Sequence, residues 1–264
     1  MTQVDVRQKI LADNAAAAAA LRERFAGART LVVNLISSPG SGKTTLLEAT
    51  VRALAGKLRL GAIEGDIATE RDADRLRRLG VPAHQILTGG SCHLDARQVR
   101  GALVEHDLGP LDVLFIENVG NLVCPAIYDL GQAANVVVLS VTEGEDKPLK
   151  YPVMFKAADL VLLAKMDLVP HLDVDLAKVH DALARVMPRP RVIEVSARTG
   201  AGMDAWVAWL AELRAAVAPA GRRGAAPGQG HDHAHPHAHG EAGHGHDPSH
   251  DHSHDHGTSR GRGR

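Results

Sequence analysis

A chain of 264 residues, 45% hydrophobic but only 3% aromatic, has the length for one domain with appendages and the material for an aliphatic core. Its formal net charge of −1 gives no reason to expect nucleic acid as a partner, and no apolar run is long enough to cross a membrane. Two cysteines exclude a disulfide framework, and the N-terminus lacks the apolar centre of a secretion signal, so a reducing, cytoplasmic setting is expected.

In chain order, residues 4–26 read as one helix. Val4, Ile10, Leu11, Leu21 and Phe25 supply apolar points, and the alanines 15–20 are strong helix formers. It suits either a packing helix on the domain edge or a partner-docking arm. The apolar run Leu31–Ile36 then reads as a buried parallel strand, followed by Ser37-Ser38-Pro39-Gly40-Ser41-Gly42-Lys43-Thr44-Thr45 and by Leu46, Leu47, Val51 and Leu54 at helical spacing. Strand, glycine-rich loop and helix are the context of a phosphate-binding loop, with Ser37 where the pattern G-x-x-x-x-G-K-S/T has its first glycine. Backbone N–H groups along Gly40, Ser41, Gly42, Lys43, Thr44 and Thr45 can wrap a phosphate at the positive end of the helix. The Lys43 ammonium would reach the β- and γ-phosphates, and the Thr44 hydroxyl would ligate Mg²⁺.

A second strand, Leu58–Ile63, ends in Glu64-Gly65-Asp66 ahead of a helix over Thr69–Leu79. Asp66 and Asp72 are placed for Mg²⁺ or the attacking water, or equally to cap a helix or sit solvated. A short strand, His84–Thr88, leads into Gly89-Gly90-Ser91-Cys92-His93, near which a helix carrying Leu94, Val99 and Leu103 begins. The strand Val113–Ile116 delivers Glu117-Asn118-Val119-Gly120, an arrangement in which Glu117 would hold Mg²⁺ and the Gly120 N–H would sense the γ-phosphate. Strands follow at Val136–Val141, Leu160–Leu163 and Arg191–Val195. Residues 143–151 read as loop with a short helix, and helices are expected over Asp175–Met187 and Ala201–Val217. The alternation implies an α/β fold with a doubly wound, mostly parallel seven-stranded sheet of the P-loop NTPase kind. The organisation expected is an arm at 1–27, a nucleotide domain at 28–218 and a tail at 219–264.

The base is read as guanine. Asp167, at the end of the sixth strand, can accept from the N1–H and N2–H₂ donors that adenine lacks as a pair, and the Lys165 stem can lie over the ring. Ser196 and Ala197 match the loop whose backbone meets the guanine O6. Ala164 stands where the guanine pattern has asparagine. Neither switch stretch offers a glutamine to orient water, so slow hydrolysis is expected, with Asp72 in the water-positioning role.

Cys92 and His93 follow one strand and Cys124 another, all at the carboxyl edge of the sheet, so they can converge. Two thiolates and an imidazole suit Zn²⁺ or Ni²⁺, although cysteine is also a common small buried hydrophobe. The motifs Ser37–Thr44, Glu64-Gly65-Asp66, Gly89–His93, Glu117–Pro125 and Lys165-Met166-Asp167-Leu168 together resemble the HypB family, GTPases of nickel insertion into nickel–iron hydrogenase, over about residues 28–215. That resemblance implies a GTP/GDP cycle and a homodimer, with a metal held by Cys92, His93 and Cys124. It also implies handoff with a HypA-type nickel chaperone docking on the N-terminal arm, and hydrogenase large-subunit precursor as the indirect recipient. The cysteine-rich N-terminal nickel motif of some members is absent, since no cysteine precedes Cys92. A few residues join Cys124 to Glu117 and Gly120, so GTP hydrolysis is expected to change nickel coordination.

The tail holds 11 of the 16 histidines: His231, His233, His235, His237, His239, His244, His246, His250, His252, His254 and His256. Interleaved with Asp, Gly and Pro, they read as a disordered segment for several nickel ions, bound as neutral imidazoles, rather than a purification tag. Competing readings are a urease-maturation GTPase, which would carry Cys-Pro-His where Ala126 follows Cys124-Pro125, and a zinc-delivery GTPase, which would show Cys-x-Cys-Cys. A nickel storage protein with a vestigial nucleotide site is the third.

Overall fold

The computed structural model describes residues 3–66 and 71–217, the side chains of residues 3–7 excepted. The eleven tail histidines expected to hold nickel lie outside the described residues, as do 67–70. Seven strands, β1 (Leu31–Ser37), β2 (Leu60–Asp66), β3 (Ala83–Leu87), β4 (Val113–Glu117), β5 (Ala134–Ser140), β6 (Leu160–Ala164) and β7 (Val192–Glu194), form one sheet in the order β3-β2-β4-β1-β5-β6-β7. Every pairing is parallel, which sharpens the expectation of a mostly parallel sheet. β1 lies at the centre and all seven of its residues are buried. Strands covered on both faces read as continuous apolar runs rather than alternating ones, which is why they were visible in the sequence.

Helices cover both faces. On one, α2 (Lys43–Leu54), α3 (Arg71–Arg77) and α8 (Met203–Val217) pack Leu47, Leu76 and Trp206 against β1, β2 and β4. Trp206 pins α8 to α2 by donating from Nε1 to the Thr50 hydroxyl at 2.9 Å, so its one polar atom is satisfied inside the core. On the other face, α1 (Gln3–Ala28) and α4 (Ala96–Glu105) bury Ala18, Leu21, Phe25 and Val99. Beside them α6 (Pro152–Lys156) and α7 (Leu176–Val186) close over β5 and β6, α6 following the single turn α5 (Lys147–Lys150).

Several details differ from expectation. The helix expected from about residue 93 starts only at Ala96, because Asp95 caps it: its carboxylate accepts from the Gln98 N–H while the Gln98 side chain reaches back. Leu94 is therefore a loop residue, fully buried. It fits because Gly65 has no Cβ; one built there would lie 2.8 Å from Leu94 Cγ. The helix α6 was hidden by the polar stretch before it. In the N-terminal helix Asn14, Ala17, Ala18, Leu21 and Phe25 are buried, whereas Ile10 is 41% exposed.

Candidate nucleotide cleft and metal centre

The carboxyl ends of β1, β2 and β4 open onto a cleft of ≈480 Å³, lined by Gly40, Gly42, Lys43, Thr44, Thr45, Asp66, Asp72, Arg75, Glu117 and Gly120 among others. Its position is the crevice where open α/β sheets bind ligands. Gly40 (φ 75°) and Gly42 (φ 102°) take left-handed backbone conformations that other residues resist, and so turn the loop's backbone into the cleft. Lys43 is nearly buried, donating to the Ser37 hydroxyl at 2.8 Å and lying 3.9 Å from Glu117. Ser37, at the place of the pattern's first glycine, thus accepts a hydrogen bond from the lysine. The Ser41 hydroxyl is buried between two acceptors, Ser38 O at 2.8 Å and Glu143 Oε1 at 2.7 Å, which share its single hydrogen and leave its backbone to face a ligand.

Thr44 Oγ1 donates to Glu117 Oε1 at 3.0 Å. In register beside Glu117 stands Glu64, which the sequence reading passed over within its own motif. Both carboxyls are buried, and among the described residues Glu64 Oε1 and Glu117 Oε2 accept from no N–H or hydroxyl, the two carboxyls meeting each other instead. Burial, then the neighbouring Glu117 charge, push Glu64 well above the usual carboxylate range. Burial also raises Glu117, against the pull of Lys43. Buried carboxyl oxygens beside a threonine hydroxyl form a hard oxygen donor set that fits Mg²⁺. Arg75 is a second residue not foreseen. Its guanidinium donates to Glu48 at 3.0 Å, Asp72 at 3.3 Å and Thr45 Oγ1 at 3.2 Å, and it lines the cleft. Its spacing of three from Asp72 places both on one helix face, which was the available signal.

Past the carboxyl ends of β6 and β7, Ser196 Oγ donates to Asp167 Oδ1 at 2.7 Å, fixing the carboxylate expected to read guanine. Ala197 is half-buried in the same turn. Ala164 faces the core.

The second constellation lies beside the cleft. Cys92 and His93 sit between β3 and α4, and Cys124 opens a 3₁₀ turn, Cys124–Ala126, after β4. Their ligand atoms all lie within 4.8 Å of one another. Cys92 Sγ is 2.9 Å from Cys124 Sγ and 3.8 Å from His93 Nδ1. Metal–sulfur bonds of ~2.3 Å in a tetrahedral site span about 3.8 Å between sulfurs, so an ion would part the two thiols by roughly 1 Å. The Cys124 thiol is pushed up first by its hydrogen bond to Cys92 and then by burial, with a hydrogen bond from Asn121 opposing. Burial lowers His93, with Asp95 opposing, so the imidazole is held neutral and ready to ligate. Tyr128 stacks on that ring at 3.8 Å between centroids.

Residues 31–194 match the family model of the CobW/HypB/UreG nucleotide-binding domain. The chain is 55% identical over 209 residues to hydrogenase maturation factor HypB of Azotobacter vinelandii, covering 79% of this chain and 69% of that one. The chain belongs to the HypB family. Its HypB relative in Escherichia coli K12 is 50% identical over 213 residues, 81% of this chain and 73% of that one. The HypB crystal structure from Helicobacter pylori, solved in complex with nickel, superposes with a TM-score of 0.73 at 41% identity, covering 77% of this chain and 96% of that one. Among the described residues, no helix is long and apolar enough to cross a membrane.

Proposed function

We propose that this HypB-family chain is a cytoplasmic GTPase that delivers nickel during hydrogenase maturation, and that hydrolysis changes its grip on the ion. One observation carries the reading. The segment that begins at Glu117 in the nucleotide cleft ends at Cys124, within 4.8 Å of the Cys92 and His93 ligand atoms. A displacement at one end of so short a segment reaches the other.

In the proposed cycle the backbone of Gly40–Thr45 and the Lys43 ammonium hold the phosphates, and Asp167 with the Ser196–Ala197 turn selects guanine. Thr44, Asp66 and Glu117 would hold Mg²⁺, which when bound neutralises charge on the β- and γ-phosphates. Asp72, steadied by Arg75, orients the water. Gly120 senses the γ-phosphate from a tight seat, since a Cβ there would lie 3.0 Å from Pro39 of the phosphate loop. Cys92, His93 and Cys124 take the cargo, nickel, with zinc as competitor for the same soft donors. The protein acts as a homodimer and receives or passes nickel with a HypA-type chaperone at the N-terminal helical arm. The tail histidines buffer further nickel, so removing residues 225–264 lowers total bound nickel but not GTP turnover.

Two variants test the reading together. Lys43→Ala abolishes GTP turnover, and Cys92→Ala combined with Cys124→Ala abolishes thiolate-bound nickel while turnover persists. Turnover surviving Lys43→Ala would instead favour a storage protein with a vestigial nucleotide site.

A further inference from the structure

Between the γ-phosphate-facing Gly120 and the metal-facing Cys124 lies one side chain that touches both metal loops. Asn121 Nδ2 donates to the Cys92 carbonyl at 3.3 Å, across 29 residues of sequence. Its Oδ1 accepts from the Val123 N–H at 2.8 Å, shaping the turn that presents Cys124. An asparagine amide has two donors and a carbonyl, so these contacts use both ends of it.

The other end of the Cys92 loop is held differently. Leu94 N donates to Asn118 Oδ1 at 3.0 Å, and Asn118 in turn donates to Asn34 Oδ1 at 3.3 Å inside β1. Leu94 is therefore tied to the sheet, whereas Cys92 is tied to a residue beyond Gly120. We propose that Asn121 is a positioning residue that makes Cys92 follow the nucleotide-sensing segment while Leu94 stays fixed, so that the thiol spacing, and with it the nickel affinity, depends on the nucleotide. This rests on the proposed coupling of hydrolysis to nickel release, and names the side chain that transmits it.

The test uses the full chain and the variants Asn121→Ala and Asn121→Ser. Serine can still accept from the Val123 N–H but cannot reach the Cys92 carbonyl, so it separates the local turn from the cross-loop bond. Nickel sulfate is titrated with GDP and with a non-hydrolysable GTP analogue, following thiolate-to-nickel charge-transfer absorption. The chain has two cysteines, both in this site, so the band is blind to the tail imidazoles. Removing one such hydrogen bond changes an equilibrium by about two- to twelvefold. The expectation is a wild-type affinity ratio of about ten between nucleotide states. In both variants it falls to within about threefold of one, with the thiolate band retained. A ratio preserved in either variant overturns the inference, as does loss of the band, which would mark a merely structural role. A wild-type ratio of one overturns the coupling itself and the inference with it.

Discussion

The Lys165 ammonium lies 2.7 Å from the Gly40 carbonyl oxygen, joining the loop after β6 to the phosphate loop after β1. Lys165 takes a left-handed backbone conformation (φ 63°) to make that reach. In the proposed nucleotide site this tether links the loop that would read the base to the phosphate loop, beside Ala164. Lys165→Met is expected to raise the KM for GTP and the Kd for GDP by about tenfold, the lower end for a charge-assisted hydrogen bond, with kcat little changed. Steady-state kinetics and GDP titration check it.

Arg75 braces Asp72 from within the cleft. If Asp72 orients the attacking water, releasing it affects the transition state more than the ground state. Arg75→Ala is expected to lower kcat for GTP at least tenfold, about 1.4 kcal/mol of barrier, with GDP affinity within about threefold of wild type. Equal losses in both would reassign Arg75 to nucleotide binding.

These residues show where sequence reading stops. The strands, the phosphate loop, Glu117 and the two cysteine loops were legible because each is a local pattern: an apolar run ending in a turn or a carboxylate. Arg75, Glu64 and Tyr128 gain their meaning only from tertiary contact. Nothing local says that Glu64 stands in register beside Glu117, or that Tyr128 returns to cover His93. Asn14 is the clearest case. An unremarkable polar residue in an alanine-rich helix, it is buried, accepts from Ala96 N at 2.8 Å and donates to Asp129 O at 2.9 Å, bridging segments downstream of both metal loops.

The Tyr128 ring fixes the plane of the His93 imidazole by stacking, without a hydrogen bond to it. The aromatic face, not the hydroxyl, does the positioning. Tyr128→Phe is expected to leave nickel affinity within about twofold of wild type, and Tyr128→Ala to lower it about tenfold, in line with losses seen when the groups that orient metal ligands are removed. Competition against a chelating dye, with GDP present, measures both.

Away from the site, Asp112 accepts from the Arg59 backbone at 2.9 Å, from its guanidinium at 3.1 and 3.2 Å, and from Arg214 of α8. The Arg59 hydrogen bonds come first in holding its carboxyl well below the usual aspartate range, with Arg214 adding to them. A depressed folded-state pKa gives stability that is present above the unfolded value of about 4 and lost as pH falls through the folded one. Asp112→Asn is therefore expected to lower the Tm at pH 7, and the gap to wild type should shrink as melts are taken below pH 4.

The most direct measurement is nickel-edge X-ray absorption on the full chain loaded with one nickel per chain, recorded with GDP and with the non-hydrolysable analogue. Two sulfur neighbours in at least one state, and a change in sulfur number or nickel–sulfur distance between the two, is the expected result. Nickel surrounded only by nitrogen and oxygen, or an identical sulfur shell in both states, would contradict a grip set by the nucleotide.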